Sequence, residues 1–384
     1  MSEAIGFFED VETKLFRFYG LLKPLYCCNL EGLSLVEATL HSIKPDIVVF
    51  FMTSEVERVF KSIYLPFYEK FLKEKGVKEV LVNPREIDGL VILNARLKPS
   101  NFPSELIKNL LNLRGNQIIL SSYYDIVLIK LDRPLAVHLL NLLRKPLHIE
   151  LLMPFRDLIG EIISDREYLL KGERELTGLK PPLLKSSLGF LKEEVSDEIV
   201  LDESEGPIVV EEEVEIKGTC VLRGPLFIRE SCKIEDSVIE GSSLGFKVSV
   251  KNSIIRRSIV GDFSTIRSST LIRAITGDFV DISHATLSSP RISSQRMLSN
   301  RPVLVGDFSS IQYSGLYSSW VGMCSVTLFQ NTPVKLKNFH TKSPLEEGML
   351  GFEDAVLRVK CSLASRGFKI EGKDLEKLIA SLYG

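Results

Sequence analysis

Histidine is the residue of this sequence best suited to proton transfer, because its side chain exchanges a proton near neutral pH, as a general base must. The chain has five histidines, at positions 41, 138, 148, 284 and 340. His284 lies in the segment Asp281-Ile-Ser-His-Ala-Thr286, just before an arginine-rich stretch. We take His284 as the candidate catalytic residue. The alternative is a structural histidine whose hydrogen-bonding groups are satisfied within the wall or core of the fold.

The arginine-rich stretch carries Arg291, Arg296 and Arg301 within eleven residues, interspersed with serines. A guanidinium group binds oxyanions through two parallel hydrogen bonds, so these arginines suit phosphate recognition. A solvated surface loop would have the same composition. Four more arginines precede the stretch, and because strand side chains alternate between faces, not all of them can face one groove. They are Arg256, Arg257, Arg267 and Arg273.

A six-residue apolar repeat from Ile208 to Val250 must position these side chains. A period of six fits neither a lone helix nor a simple hairpin, but it is typical of a hexapeptide β-helix. Each short strand of such a helix turns its i and i+2 side chains inward. The first column is Ile208, Val214, Cys220, Leu226, Cys232, Val238, Leu244 and Val250, and the second is Val210, Ile216, Leu222, Ile228 and Ile234.

The repeat continues as three copies of one phrase built around Gly-Asp-Phe, at Ile259–Ile266, Ile275–Ile282 and Leu304–Ile311. Apolar ends around this tripeptide predict a tight corner between two strands. The spacing of the first two copies is close to one three-hexad coil of roughly 18 residues. The third copy follows after a much longer step, so we expect a loop within Ser288–Pro302.

The chain divides into four parts. Strand-like and helix-like segments alternate in residues 1–150, which predicts an α/β domain with a mostly parallel sheet. Residues 151–205 are a connecting helix and linker, and residues 206–340 are the β-helix of hexapeptide repeats. Residues 341–384 form a tail with two short amphipathic helices, which we expect to cover the open end of the solenoid.

Composition limits the classes of partner and compartment. The 48 basic and 50 acidic residues give a net charge of −2, which does not favour a nucleic-acid partner. No apolar run approaches the length of a membrane span, and the first residues do not resemble a signal peptide. The six cysteines form no Cys-x-x-Cys pair. We therefore expect a reduced, cytoplasmic protein without a membrane partner.

Several motifs resemble those of the bifunctional sugar-1-phosphate nucleotidyltransferase/acetyltransferase family. Lys23-Pro-Leu25 and Glu31–Leu40 resemble the family's Lys-Pro-Leu and its following helix entry. Phe8-Glu-Asp10 and Asn94-Ala-Arg-Leu-Lys-Pro99 are similar to phrases of its divergent branch of sugar nucleotidyltransferases, and Pro154–Leu158 resembles the segment before the family's solenoid. The last motif is also an ordinary helix start.

Two departures concern nucleotidyl transfer. Residues 1–30 contain only two glycines, Gly6 and Gly20, so the family's Gly-rich phosphate loop is missing. The family's acidic metal ligand is replaced by Arg96, which cannot ligate Mg²⁺. Mg²⁺ is therefore expected only if nucleotidyl transfer is retained.

The resemblance implies an α/β nucleotidyltransferase-like (Rossmann-like) first domain and a left-handed β-helix that forms homotrimers. It also implies acyl transfer from acetyl-CoA or another acyl-CoA to an amino-sugar phosphate or nucleotide sugar. His284 would be the base, and the loop arginines would bind the sugar phosphate or the CoA diphosphate. The resemblance also implies Lys23, Gly32 and Asn94 as candidate ligand-binding residues of the first domain. The alternatives are a solvated lysine for Lys23 and a turn residue for Gly32.

Two other functions stay open. One is an active nucleotidyltransferase with a trimerising solenoid, which would need carboxylates near Asn94, such as Glu86 or Asp88. The other is a non-catalytic scaffold or regulatory subunit, which an open groove without a positioned base at His284 would favour.

Overall fold

The computed structural model describes residues 4–9, 23–27, 34–52, 54–84, 90–95, 104–112, 117–120, 126–131, 198–288, 303–317, 319–331, 335–368 and 372–383. They fall into two compact units, one within residues 1–166 and one mainly within residues 167–384. Each unit is described by itself.

The first unit contains a mixed sheet of six strands, in the order β3-β2-β1-β4-β6-β5. Strands β1 to β4 are parallel, and β6 runs antiparallel to both β4 and β5. The strands are β1 Ala4–Phe8, β2 Ile47–Phe50, β3 Glu79–Val82, β4 Leu90–Asn94, β5 Gln117–Leu120 and β6 Ile126–Leu131. The predicted α/β architecture with a mostly parallel sheet is thereby confirmed.

The sequence pattern does not predict strand β1, although this strand occupies the centre of the parallel part. All five of its residues are buried, as a strand covered on both faces requires. Gly6 lies where an added Cβ would come within 3.0 Å of the Phe51 ring, so a larger residue at this position would require that ring to shift.

Four α-helices and a 3₁₀ turn at Leu25–Cys27 accompany this sheet in the described part of the first unit. The helices are α1 Leu35–Ser42, α2 Ser54–Ile63, α3 Leu65–Glu74 and α4 Ser104–Asn112. Ser34 caps α1 in a reciprocal capping box with Glu37. The sequence from Ser54 to Lys75 predicts a helix interrupted at Pro66, and this is confirmed, because this proline lies in the first turn of α3. The sequence also predicts helices at 134–143 and 153–172, which lie outside the described residues.

The second unit is a solenoid whose strands stack into three parallel sheets, which we call faces A, B and C. Face A contains β7 Ile199–Asp202, β10 Cys220–Arg223, β13 Val238–Glu240, β16 Ile254–Arg256, β19 Thr270–Ile272, β22 Thr286–Ser288 and β25 Gly315–Tyr317. Face B contains β8 Ile208–Val210, β11 Leu226–Ile228, β14 Ser243–Leu244, β17 Ile259–Val260, β20 Ala274–Thr276, β23 Val303–Val305, β26 Trp320–Val321 and β28 Lys335–Leu336. Face C contains β9 Glu215–Lys217, β12 Lys233–Glu235, β15 Ser249–Lys251, β18 Thr265–Arg267, β21 Asp281–Ser283, β24 Ser310–Gln312, β27 Val326–Leu328, β29 His340–Lys342 and the antiparallel β30 Glu347–Met349.

These stacked parallel faces are consistent with the predicted β-helix. The first strand, β7, pairs with β10, so the solenoid begins within the stretch interpreted as a linker, before the expected boundary at residue 206. Strands β22 and β23 are separated by residues 289–302, so the predicted insertion falls at the corner between faces A and B.

The length of one coil departs from three full hexads after the first turn. Ile216 pairs with Ile234, a step of 18, but Ile234 pairs with Val250 and Val250 with Ile266, steps of 16. The assignment of Val238 to the inward column is wrong. Ile239 is the fully buried residue there and pairs with Leu222, because the chain turns at Asp236 with a φ of 48°.

The predicted corners at the three Gly-Asp-Phe copies are confirmed, and each residue of the phrase has its own role. At the first copy, an added Cβ on Gly261 would lie 2.2 Å from a carbonyl oxygen of the next coil, so glycine is needed for close stacking. Phe263 takes the left-handed turn, with a φ of 58°. The Asp278 carboxylate accepts a hydrogen bond from the Asp262 N–H in the coil before, at 2.7 Å. The aspartates are thus corner residues, as the sequence indicated.

The C-terminal helices are α5 Phe352–Ala364 and α6 Gly372–Tyr383. The expectation that this tail covers the open end of the solenoid is wrong for α5, which lies along the side, on the corner between faces B and C. Its start is beside Phe339, which contacts Tyr383, and Phe368 beyond its end packs on Phe263 with ring centroids 4.9 Å apart.

The physical reason is that the pitch of an α-helix nearly matches the spacing of the stacked coils. Stacked strands are about 4.8 Å apart and a helical turn rises about 5.4 Å, so α5 advances by one turn for each coil. It covers the corner rings of Phe263, Phe279 and Phe308, which stack on one another at 4.9 Å.

Candidate functional site

His284 lies at the corner between faces C and A, with a φ of 52°. The chain turns at this residue, so His284 does not share the inward face of Ile282, and its side chain is exposed. The imidazole stacks on the Tyr313 ring at 5.0 Å, and Tyr313 stacks on Phe329 at 5.1 Å. Within the described residues His284 donates and accepts no side-chain hydrogen bond. The core form of the alternative interpretation is therefore wrong, whereas a wall histidine stacked on Tyr313 is compatible with this position.

Asp281 and Asp307, the aspartates of the repeat that could orient a histidine, have other partners. Asp281 accepts a hydrogen bond from Arg366 at 2.9 Å, and Asp307 accepts one from the Asp278 N–H at 2.8 Å. His340, the other solenoid histidine, has its Nδ1 2.8 Å from the Asn338 carbonyl oxygen. His284 is thus the exposed histidine of the solenoid, whereas His340 is partly buried and contacts a backbone carbonyl.

A polar cleft of about 430 Å³ opens on face C, directly beside the His284 corner. Its floor consists of side chains from three adjacent strands, β18, β21 and β24, and its wall is the end of α5. The lining residues are Thr265, Arg267, Asp281, Ile282, Ser283, Ser310, Gln312, Ser365 and Arg366. Ser283 immediately precedes His284, so the cleft and the exposed imidazole are neighbours. A second cleft of about 470 Å³ along α5 shares Asp281 and Ser365 with the first.

Sequence reasoning did not find this cleft. Its wall is brought to its floor by Arg366, which donates to the Phe263 carbonyl at 2.6 Å and to Asp281, 85 residues away in the sequence. The signal that was available is the pair of polar outward positions on β18, β21 and β24, where a strand buried on both faces would carry apolar residues.

The arginines that precede the loop are distributed over different surfaces, as strand alternation predicted. Arg256 is on face A and pairs with Glu240 at 3.2 Å, whereas Arg267 lines the cleft on face C. Arg257 and Arg273 occupy the corner between faces A and B. Arg291, Arg296 and Arg301 lie outside the described residues, so their proposed role in phosphate binding stays a prediction.

In the first unit, Asn94 ends strand β4 and pairs with Phe8 at the end of β1. These adjacent strands continue into crossovers in opposite directions, and ligands of open α/β sheets bind at the carboxyl ends of such strands. Asn94 is fully buried, and Lys23 is only 6% exposed with its ammonium 5.4 Å from the centre of the Tyr64 ring. The interpretation of Lys23 as a solvated lysine is therefore wrong. Gly32, Glu86, Asp88 and Arg96 lie outside the described residues.

In the described ranges, no group of three or more His, Cys, Asp or Glu side chains could hold a metal ion. The expectation that Mg²⁺ accompanies only a retained nucleotidyl transfer stays a prediction. Burial raises the pKa of the Cys232 thiol to about 12 and that of Cys324 to about 11, which disfavours the nucleophilic thiolate. Cys220 and Cys232 fill the solenoid core as apolar residues, as predicted.

Comparison with models of known protein families finds none that matches this chain, and comparison with curated proteins finds no sequence similar enough to indicate a relationship. None of the helices in the described residues is long and apolar enough to cross a membrane. The fold and the candidate site define a protein with an α/β unit and a parallel β-solenoid that carries a polar cleft next to an exposed histidine.

Proposed function

We propose that this chain is a protein of sugar-nucleotide biosynthesis whose solenoid transfers an acyl group from acyl-CoA to an amino-sugar phosphate or nucleotide sugar. The observation that carries the proposal is the exposed His284 imidazole beside the polar cleft of face C. Its ring plane is held by Tyr313 while its nitrogens remain accessible, which a general base for an incoming acceptor requires.

In this reaction His284 takes a proton from the acceptor's amine or hydroxyl group as that group attacks the thioester carbonyl. A carbon–nitrogen or carbon–oxygen bond forms and the carbon–sulfur bond breaks. The CoA thiolate leaves and takes up the proton from the His284 imidazolium, which restores the neutral base.

Face A supports the proposal that several copies assemble, as a trimer, with their active sites between them. Its outward column carries Val200, Val221, Val238 and Ile254, of which Val200 is 53% and Ile254 38% exposed. Tyr317, on β25 of the same face, adds an exposed ring on a later coil. A continuous apolar stripe of this kind on a flat sheet suits a second copy of the chain. We propose left-handed winding on the resemblance alone.

For the first unit we propose a nucleotidyltransferase-like fold that binds a nucleotide or sugar phosphate at the ends of β1 and β4. Buried Asn94 supports this proposal, because an amide group at such a sheet edge can bind ligand oxygens. Lys23 is added on the resemblance. We propose no metal-dependent transfer there, since Arg96 replaces the acidic ligand.

The test is an acyl-transfer assay that measures the free thiol released from acetyl-CoA with a panel of amino-sugar phosphates and nucleotide sugars. We expect His284→Asn to lower kcat by a factor of about 100 or more. His340→Asn is the matched control, because His340 is the solenoid histidine bonded to a backbone carbonyl, and we expect it to retain activity. Equal activity of wild type and His284→Asn would refute the role of His284.

A second candidate, a non-catalytic scaffold or regulatory subunit, is favoured by one observation. The described structure provides no hydrogen bond that fixes the tautomer of His284, whereas catalytic histidines are commonly oriented by a carboxylate or carbonyl. Absence of turnover with every acceptor, together with a stable homo-oligomer, would support this candidate.

A further inference from the structure

The outward side chains of face C form a ladder of charges that is neutralised coil by coil until it reaches Arg267. Lys217 and Lys233 both pair with Glu215, at 3.1 and 3.0 Å, and Lys251 pairs with Glu235 at 2.6 Å. Arg267 follows Lys251 in the same column, but its neighbour on the next coil is Ser283 rather than a carboxylate. Among the described residues the Arg267 guanidinium forms no ion pair or side-chain hydrogen bond.

Asp281, the nearest acid in the cleft, is engaged by the tail of the chain. Arg366 donates to its carboxylate at 2.9 Å and also to the Phe263 carbonyl and the Ser362 hydroxyl, with only 15% of the Arg366 side chain exposed. Docking of α5 therefore gives Asp281 a fixed cation and leaves Arg267 as the cation of the cleft that can bind an incoming anion.

The other polar groups of the floor suit a ligand with several hydroxyl groups. Thr265, Ser283, Ser310 and Gln312 supply three hydroxyls and an amide, each able to donate and to accept. Strands are about 4.8 Å apart and same-face residues about 7 Å apart along a strand, so the floor measures about 10 by 7 Å. A single sugar ring fits this area, and the volume of about 430 Å³ is in the range of small-ligand sites.

We propose that the cleft on face C binds a sugar that carries one phosphate or carboxylate group, with Arg267 forming the ion pair to that group. The hydroxyl and amide side chains of β18, β21 and β24 bind the sugar hydroxyls, and Ser365 closes the side next to α5. This places the ligand one residue from the His284 corner. Its role as the acyl acceptor rests on the proposed function, but its binding does not.

The experiment is isothermal titration of the full chain with a hexose 1-phosphate, a hexuronate, the uncharged hexose and inorganic phosphate. We expect one of the two anionic sugars to bind, with Arg267→Gln weakening it on the order of tenfold or more, because a charge-assisted hydrogen-bond pair is lost. Lys251→Gln is the matched control, since Lys251 occupies the same column one coil earlier and does not line the cleft. We expect it to leave the affinity unchanged.

The result separates this inference from the proposed acyl transfer. If the protein binds the anionic sugar but has no acyl-transfer activity, and His284→Asn retains this binding, the cleft is supported and the proposed acyl transfer is refuted. Acyl transfer that is unaffected by Arg267→Gln would support the transfer reaction and exclude the cleft as the site of its acceptor. Failure of both anionic sugars to bind, equal binding of the uncharged hexose, or equal binding of inorganic phosphate would overturn the proposal.

Discussion

Thr327 gives the sharpest test of how the solenoid core is built. It lies on β27 in the inward column of face C, where its pairing partner is Ile311, and it is fully buried. Its hydroxyl oxygen has no hydrogen-bond partner in the described part of the chain. Valine has the same shape without the hydroxyl group, so Thr327→Val should stabilise the fold.

The magnitude follows from the desolvation of one hydroxyl group. A buried polar group left without a partner costs about 1–3 kcal/mol, so we expect the free energy of unfolding to rise by about 1–2 kcal/mol. With a urea slope of about 2 kcal/mol per molar, the midpoint should move up by about 0.5–1 M. The single tryptophan of the chain, Trp320, lies on β26 of the solenoid, so its fluorescence follows this unit.

Thr276 is the matched control, because it is a threonine in the otherwise aliphatic inward column of face B and is 4% exposed. Its hydroxyl oxygen accepts a hydrogen bond from the Gly261 N–H at 3.1 Å, so Thr276→Val should lower the midpoint instead. An unchanged or lowered midpoint for Thr327→Val, at an unchanged slope, would refute the reasoning that its hydroxyl is unsatisfied.

Three further predictions concern the tail and the thiols. Arg366→Gln should speed amide hydrogen exchange in α5 on the order of tenfold, because the hydrogen bonds of Arg366 to Phe263 and Asp281 are lost. Arg358→Gln should have a smaller effect, because Arg358 has one 3.4 Å contact, to the Phe308 carbonyl. Equal exchange rates in the two variants would contradict this docking of α5. Brief alkylation of the native protein, followed by peptide mass spectrometry, should label exposed Cys361 and spare Cys232 and Cys324, and labelling of the buried pair first would be inconsistent with the fold. Burial raises the pKa of the Cys232 thiol from 9.0 to about 12, so the unfolded chain loses this proton first and stability falls as the pH rises from 9 towards 12. Cys232→Ala should reduce that decline by up to about 1.4 kcal/mol per pH unit in urea titrations, and an identical pH dependence would disprove the assignment.

The secondary structure of the first unit was largely accessible from the sequence. The buried strand at Ile47–Phe50 and the helix break at Pro66 are local properties, set by apolar runs and by the missing N–H of proline. Strand β1 was missed because Ala4–Phe8 is a short segment at the start of the chain whose central position depends on pairing with β2 and β4.

In the candidate site, the sequence indicated His284 but not its surroundings. Its identity and its place after a strand are visible in the repeat, whereas its exposure follows from a left-handed corner that is one of a stacked column of corners. Arg267 was noted only as one of several arginines, and nothing local distinguishes it from Lys251. The distinction comes from Ser283 on the following coil and from Arg366, which is distant in the sequence.

The sequence by itself determined that a parallel solenoid forms and which side chains fill most of its first coils, because alternation along a strand is fixed by local backbone geometry. The tertiary structure decided the shortening of the coil after the first turn, the exchange of Val238 for Ile239 in the core and the docking of α5 along a corner. Each of these depends on contacts between residues distant in the sequence, whose free energy is realised only when neighbouring coils are stacked. The cleft on face C belongs to this second group, since its floor and its wall meet only in the folded chain.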